Sequence, residues 1–336
     1  MPARLPSLVL ATAVAVAVSG CGGSAMTSTG PGTQDGAVSA VVGFYPYEFV
    51  TARVGGDAVD VTNLTEPGGE PHDLELTPRQ VGAVGEADLV VFSGGFQPAV
   101  DEAVEQQADG RALDVLSVVE LRGGAGHGSH GDEGHGDEGH GDEGHGDEGH
   151  GDEGHGDEGH GDGHHADADP HVWLDPLRLS TVAAAVADRL AAVDPDGAQG
   201  YRSRAQALDA ELTALDEELR AGLATCERRQ VVTSHDAFGY LADAYGLEQV
   251  AIAGLSPDDE ASPQRLRQVA EQAQAAGVTT VFFEELVSPK VAEALAREVG
   301  ASAEVLTPLE GPPARGDYLT AMRDNLERLR TALGCT

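Results

Sequence analysis

A pentapeptide, Gly-Asp-Glu-Gly-His, repeats six times without interruption from Gly131 to His160, and it limits what the chain can fold into more than any other stretch. The tract has no apolar side chain to bury, so it cannot offset the entropy of ordering its backbone. The sequence therefore predicts a disordered loop over residues 126–165, and a fold assembled from what lies on either side. His127 and His130 introduce the repeats, His135, His140, His145, His150, His155 and His160 end them, and His164 and His165 follow. Only three of the 13 histidines lie elsewhere: His72, His171 and His235. Imidazole suits zinc, copper and nickel, and a His-rich run reads as metal binding. Carboxylates at two of every five positions attract cations and keep the loop extended. The alternative is a solvated acidic spacer, which does not account for histidine at a fixed period.

The 336 residues suffice for two ordinary domains once this loop and the N-terminus are set aside. The formal charge of −37 argues against a nucleic-acid partner, and thirteen of the 57 acidic residues sit in 126–165. The remainder is still acidic, which favours a cationic partner. Arg4, the apolar run Leu5 to Val18 and the small residues Ser19 and Gly20 have the order of a secretory signal, expected over residues 1–20. Val18-Ser19-Gly20-Cys21 resembles a bacterial lipobox, which makes Cys21 the expected site of lipidation; a plain signal peptide with a chance cysteine is the alternative. Residues 21–37, rich in Gly, Ser and Thr, read as a flexible tether. Cys226 and Cys335 remain, in a compartment that permits disulfides, and form the candidate pair, with two free thiols as the alternative. A cysteine zinc site is not expected, because no CxxC spacing occurs.

Short β-branched runs alternate with amphipathic segments on both sides of the loop, as in Val38 to Phe44 and Gln230 to Thr233. This predicts an α/β fold of two lobes, each with a small parallel sheet and right-handed crossovers. The expected N-terminal lobe spans 38–194 and the C-terminal lobe 224–336. Between them, 195–223 carries Leu208, Leu212, Leu215 and Leu219 at helical spacing and reads as one long rigid helix joining the lobes, with a surface helix of one lobe as the alternative.

His72, His171 and His235 each stand just past a strand or at the opening of a loop, so they are expected to converge in the cleft between the lobes. Three imidazoles at about 2.0–2.1 Å suit zinc, with a carboxylate or water as the fourth ligand. Asp73, Asp175 and Asp236 are candidate acceptors for the ring N–H groups, with helix capping as the equal alternative.

The segments Glu70-Pro71-His72-Asp73, Asp169-Pro170-His171-Val172-Trp173-Leu174-Asp175-Pro176 and Ser234-His235-Asp236-Ala237-Phe238-Gly239-Tyr240 resemble, in order and position, the motifs of the metal-specific solute-binding lipoproteins of bacterial ABC importers, in particular the zinc receptors. The resemblance covers Val38 to about Arg330. It implies two lobes bridged by one helix, Zn2+ held between them by His72, His171 and His235, and a membrane permease as partner. It also implies a monomer outside the cytoplasm, at the cell surface or in the periplasm, held on the outer face of the membrane by its lipid. Zinc members similarly carry a His-rich acidic loop, whereas manganese members typically lack it and replace the third His by Glu; the role expected of the loop here is local zinc capture, with sensing as the rival. Many members add an Asp ligand after the last strand, where this chain has Thr307, and others a Glu before the first His, where it has Pro71. The fourth ligand stays open among Glu284, Glu310, a loop histidine and water. A manganese receptor, a secreted zinc hydrolase and a surface adhesin or buffer using the repeat alone are the competing readings; no HExxH or nucleophile elbow supports the hydrolase.

Overall fold

In the computed structural model, residues 37–122 and 168–336 are described. The expected signal peptide 1–20, Cys21, the tether up to Gly36 and the loop 126–165 with its ten histidines lie outside them. The first lobe is built from β1 (Val38–Val42), α1 (Tyr45–Gly55), β2 (Val59–Asn63), α2 (Pro78–Glu86), β3 (Leu89–Phe92), α3 (Pro98–Gln107) and β4 (Ala112–Asp114). Two helices follow the loop, α4 (Pro176–Val193) and α5 (Ala198–Gly222). The second lobe repeats the alternation with β5 (Gln230–Thr233), α6 (Gly239–Tyr245), β6 (Glu248–Ala251), α7 (Pro263–Ala275), β7 (Thr280–Phe283), α8 (Lys290–Val299) and β8 (Ser302–Val305), and closes with α9 (Tyr318–Leu333).

Both sheets are parallel and have the same strand order, β2-β1-β3-β4 and β6-β5-β7-β8. In each, the chain leaves the first strand to one side and crosses back to the other. Ligands of such sheets sit beyond the carboxyl ends of the strands, where the order reverses. Local chemistry sets the element ends. Thr77 and Gln80 form a reciprocal capping box on α2, with Pro78 in its first turn. Strand β4 stops at Asp114, because that carboxylate accepts the Leu116 N–H and turns the chain into a 3-10 turn over Val115–Ser117.

Helix α5 runs about 37 Å at 1.5 Å per residue and is braced to both lobes. Near its start Arg204 donates to the carbonyls of Val54 (2.7 Å) and Gly55 (2.8 Å) at the end of α1, and Glu211 pairs with Arg53. Towards its end Asp216 accepts from Tyr245 Oη (3.1 Å), Glu218 pairs with Arg323 of α9 (2.7 Å), and Gly222 lies against Leu326. Its Leu208, Leu212, Leu215 and Leu219 are buried in an apolar core that runs from Val42 and Leu89 in the first lobe to Tyr240 and Leu329 in the second. The core thus crosses the division between the lobes.

Cys226 and Cys335 are joined by a disulfide that ties the strand entering the second lobe to the end of α9, across a sequence separation of 109. Replacing both by serine is expected to lower stability by about 2–4 kcal/mol, chiefly by freeing the unfolded chain. Urea unfolding of the double variant without reductant should show this as a lower midpoint; an unchanged midpoint would show that the bridge contributes nothing.

Candidate metal centre

Each histidine reaches the cleft from a different local device. His72 ends the loop after β2, where Glu70 accepts from the backbone N–H groups of His72 (3.2 Å) and Asp73 (3.1 Å). His235 follows β5 by two residues, and its carbonyl accepts from Thr233 Oγ1 (2.8 Å) and Gln249 (3.0 Å). His171 opens a 3-10 turn over Val172–Leu174 and is fully buried, as is His235. Aromatic rings hold the imidazoles from behind, Phe96 against His72 (4.5 Å between centroids) and Trp173 against His171 (5.1 Å).

The structure brings the three side chains together with Glu310, from the loop after β8. Glu310 Oε1 lies 3.4 Å from His72 Nε2, 3.4 Å from His171 Nε2 and 3.5 Å from His235 Nε2, and the latter two nitrogens are 3.4 Å apart. A tetrahedral zinc site with bonds of about 2.0–2.1 Å has ligand-to-ligand edges of about 3.3 Å. These four of the six edges match that figure, and all four donor atoms lie within 4.8 Å of one another, a set of three nitrogens and one oxygen that could hold an ion of zinc's size.

Carboxylates behind the imidazoles orient them. Asp169 Oδ1 accepts from His171 Nδ1 (2.8 Å) and also from the His171 backbone N–H (3.0 Å). Glu284, at the end of β7, lies 2.6 Å from His235 Nδ1. With Nδ1 thus engaged, the Nε2 lone pairs face the centre. Burial alone would lower both imidazoles. The bonds to Asp169 and Glu310 nevertheless raise His171, and those to Glu284 and Glu310 push His235 up to about 10. Burial would likewise raise Glu310, yet the bonds from His171, His235 and His72 hold it well below the usual carboxylate range. A pocket that favours positive charge this strongly also favours a divalent cation.

The aspartates expected to accept from the rings do something else. Asp175 caps α4, accepting the Leu177 N–H (2.9 Å) and pairing with Arg178. Asp73 is exposed and lies beside Glu70 and Asp258. Asp236 donates its backbone N–H to Gly254 (2.8 Å), and burial, with the charge of Asp169 next, raises its carboxyl. Asp169, two residues before His171, accepts from both its backbone N–H and its ring, the closed local turn that an Asp makes with the residue two on. That D-x-H spacing was the signal for Asp169. Glu284, a candidate for the fourth ligand, stands behind His235 at its Nδ1 instead, where the pairing of β7 with β5 brings it. Replacing Asp169 by Asn or Glu284 by Gln is expected to weaken metal binding about 10 to 100-fold, as loss of an orienting partner does; calorimetry on each variant checks it.

The loop that carries Glu310 is also built locally. Asn325, fully buried on α9, holds Thr307 through both its backbone N–H (3.1 Å) and its carbonyl (2.7 Å). Thr307 Oγ1 in turn accepts from the Leu309 N–H (3.1 Å). Leu309, with φ 62°, is the one non-glycine residue with positive φ among the described residues. Thr307 bends the chain, and Glu310, three residues on, is the carboxylate that comes within reach of the three imidazoles.

The sequence profile of the zinc-uptake complex component A, periplasmic, matches residues 40–332. The chain belongs to this family. It is 34% identical over 325 residues to the high-affinity zinc uptake system protein ZnuA of Bacillus subtilis, covering 94% of this chain and 93% of that one. It is 35% identical over 305 residues to the zinc-binding protein AdcA of Streptococcus pyogenes, covering 88% of this chain and 56% of AdcA, so it spans a little over half the length of that relative. Among solved structures, ZnuA superposes with a TM-score of 0.69 at 26% identity, over 88% of this chain and 99% of that one. The laminin-binding protein Lmb of Streptococcus agalactiae, described as a bifunctional protein with adhesin and metal-transporting activity, superposes with a TM-score of 0.71 at 28% identity over the same shares. The two-lobed α/β architecture of the chain is that of these solved structures.

Proposed function

We propose that the chain is an extracytoplasmic zinc receptor: it takes up Zn2+ through His72, His171, His235 and Glu310 and delivers it to an ABC-type permease. The buried quartet of three imidazole nitrogens and one carboxylate oxygen, with the edge lengths of a tetrahedral zinc site, carries this reading. Nitrogen-rich four-coordination favours zinc over manganese, which suits oxygen-rich octahedral sites. A closed set of four protein donors supports a receptor over a hydrolase, because a catalytic zinc keeps a position for water. Lipidation at Cys21 would hold the receptor at the outer face of the membrane, as a monomer. Metal analysis of the protein purified from its native envelope should find one tightly held zinc per chain; manganese there would overturn the assignment.

The loop 126–165 is proposed as an auxiliary capture segment that raises the zinc concentration beside the cleft. Its repeated, equivalent groups lose conformational entropy on chelation, so each binds weakly. Its zinc equivalents should fade below about pH 6, as protons take the imidazoles near their ordinary pKa of about 6.5. Deleting 126–165 should leave the tight site intact, slow zinc uptake when zinc is scarce and have no effect when it is plentiful. Faster uptake at high zinc would make the segment a brake instead.

A further inference from the structure

His72 differs from the other two histidines: an aromatic ring packs against it, but no carboxylate is bonded to its Nδ1 among the described contacts. Its support comes instead from the residues that begin α3. Phe96 packs its ring edge-on to the imidazole at 4.5 Å. Next to it Gln97, only 1% exposed, donates from Nε2 to the Pro71 carbonyl (3.1 Å), to Thr65 Oγ1 (3.2 Å) and, at the limit of bonding, to the Gly43 carbonyl (3.5 Å). Thr65 Oγ1 itself donates to the Gly43 carbonyl (2.8 Å), so it can only accept from Gln97. These acceptors fix which end of the amide is the NH2. The peptide carbonyl immediately before His72 is thereby tied, through one buried side chain, to both ends of the loop and to the carboxyl end of β1. The other end of the amide depends on Gly43, where a Cβ would run into Gln97 Oε1.

We infer that Gln97 is a positioning residue for His72, setting the direction from which that imidazole meets the metal. This inference rests on the zinc-receptor reading of the site. Gln97→Leu keeps most of the volume but removes the donors, leaving the Pro71 carbonyl and Thr65 without their partner. Gly43→Ala displaces the same amide without altering it.

The test uses the full chain, with chelator competition at less than one zinc per protein, so that the tight site fills before the loop. Gln97→Leu and Gly43→Ala should each weaken that first equivalent about 10 to 100-fold, the range for loss of a group that orients a ligand. His72→Ala should weaken it further, and adding Gln97→Leu to His72→Ala should cost nothing more, since a residue acting only through His72 has nothing left to position. At one equivalent of Co2+, the visible absorption of Gln97→Leu should shift towards that of His72→Ala, which general loosening of the fold would not produce. Native affinity in both Gln97→Leu and Gly43→Ala, or losses that add in the double variant, would overturn the inference. If Gln97→Leu does not fold, Gly43→Ala decides alone. If His72→Ala itself keeps native affinity, the zinc-receptor reading of the quartet fails, and the role of Gln97 falls with it by a separate route.

Discussion

His171→Ala, in a protein lacking residues 126–165, is expected to weaken zinc binding well beyond 100-fold, more than the loss of an orienting partner costs. His171 is fully buried, so no solvent molecule is at hand to replace its nitrogen. The truncation also leaves Glu310 and Asp169 facing each other across a space that neither an imidazole nor a bound cation fills. A buried charge deprived of its partner is costly in its own right. Calorimetric titration gives the answer directly, and an affinity equal to that of the parent would remove His171 from the ligand set. Deleting the loop is what makes the titration clear, because on the proposed capture role its ten histidines would also take up added metal.

Trp173→Ala should produce the largest loss of stability of any single substitution in the cleft. The indole is fully buried and packs against Phe44 (4.7 Å between centroids) and Phe96 (5.6 Å) in the first lobe. Its Nε1 donates to the Pro308 carbonyl in the second (2.6 Å), and its own carbonyl accepts from Tyr318 Oη (2.6 Å). Truncating a buried aromatic costs about 3–5 kcal/mol. The unpaired Pro308 carbonyl adds about 1–3 kcal/mol if it stays buried. Denaturant unfolding followed by circular dichroism should show a midpoint far below the parent's with a similar slope. Zinc affinity should fall as well, since Pro308 lies two residues before Glu310. A variant with near-parental stability would mean that the lobes do not depend on this side chain for their contact.

Much of this was legible in the chain itself. The alternation of β-branched runs with helical spacing, and the four leucines of α5, are local patterns, and they predict elements close to those found. The isolation of His72, His171 and His235 outside the tract pointed to the same cleft in which their nitrogens meet. The rest depended on distance in space. Glu310 stood among the candidates, but only the bend at Thr307 and Leu309 separates it from Glu284, and that bend is held by Asn325 from another helix. Asp175 stood among the candidate ring acceptors and Asp169 did not, although both flank His171, because only the turn at Asp169 shows which of them faces the ring. Gln97 is 26 or more residues from each of its partners in sequence and carries no pattern at all.

The apolar core that passes without a break along α5 bears on how long a metal ion stays. Two bodies joined by a flexible strap can release cargo by swinging apart, at a rate set by the strap. Here such a swing would tear open packed side chains from Val42 to Leu329, which makes it a rare event on the scale of unfolding. Residence time should then be governed by small excursions of the segments carrying His72 and Glu310. The proposed permease, to shorten it, would need to pull only on those two loops and could leave the framework standing.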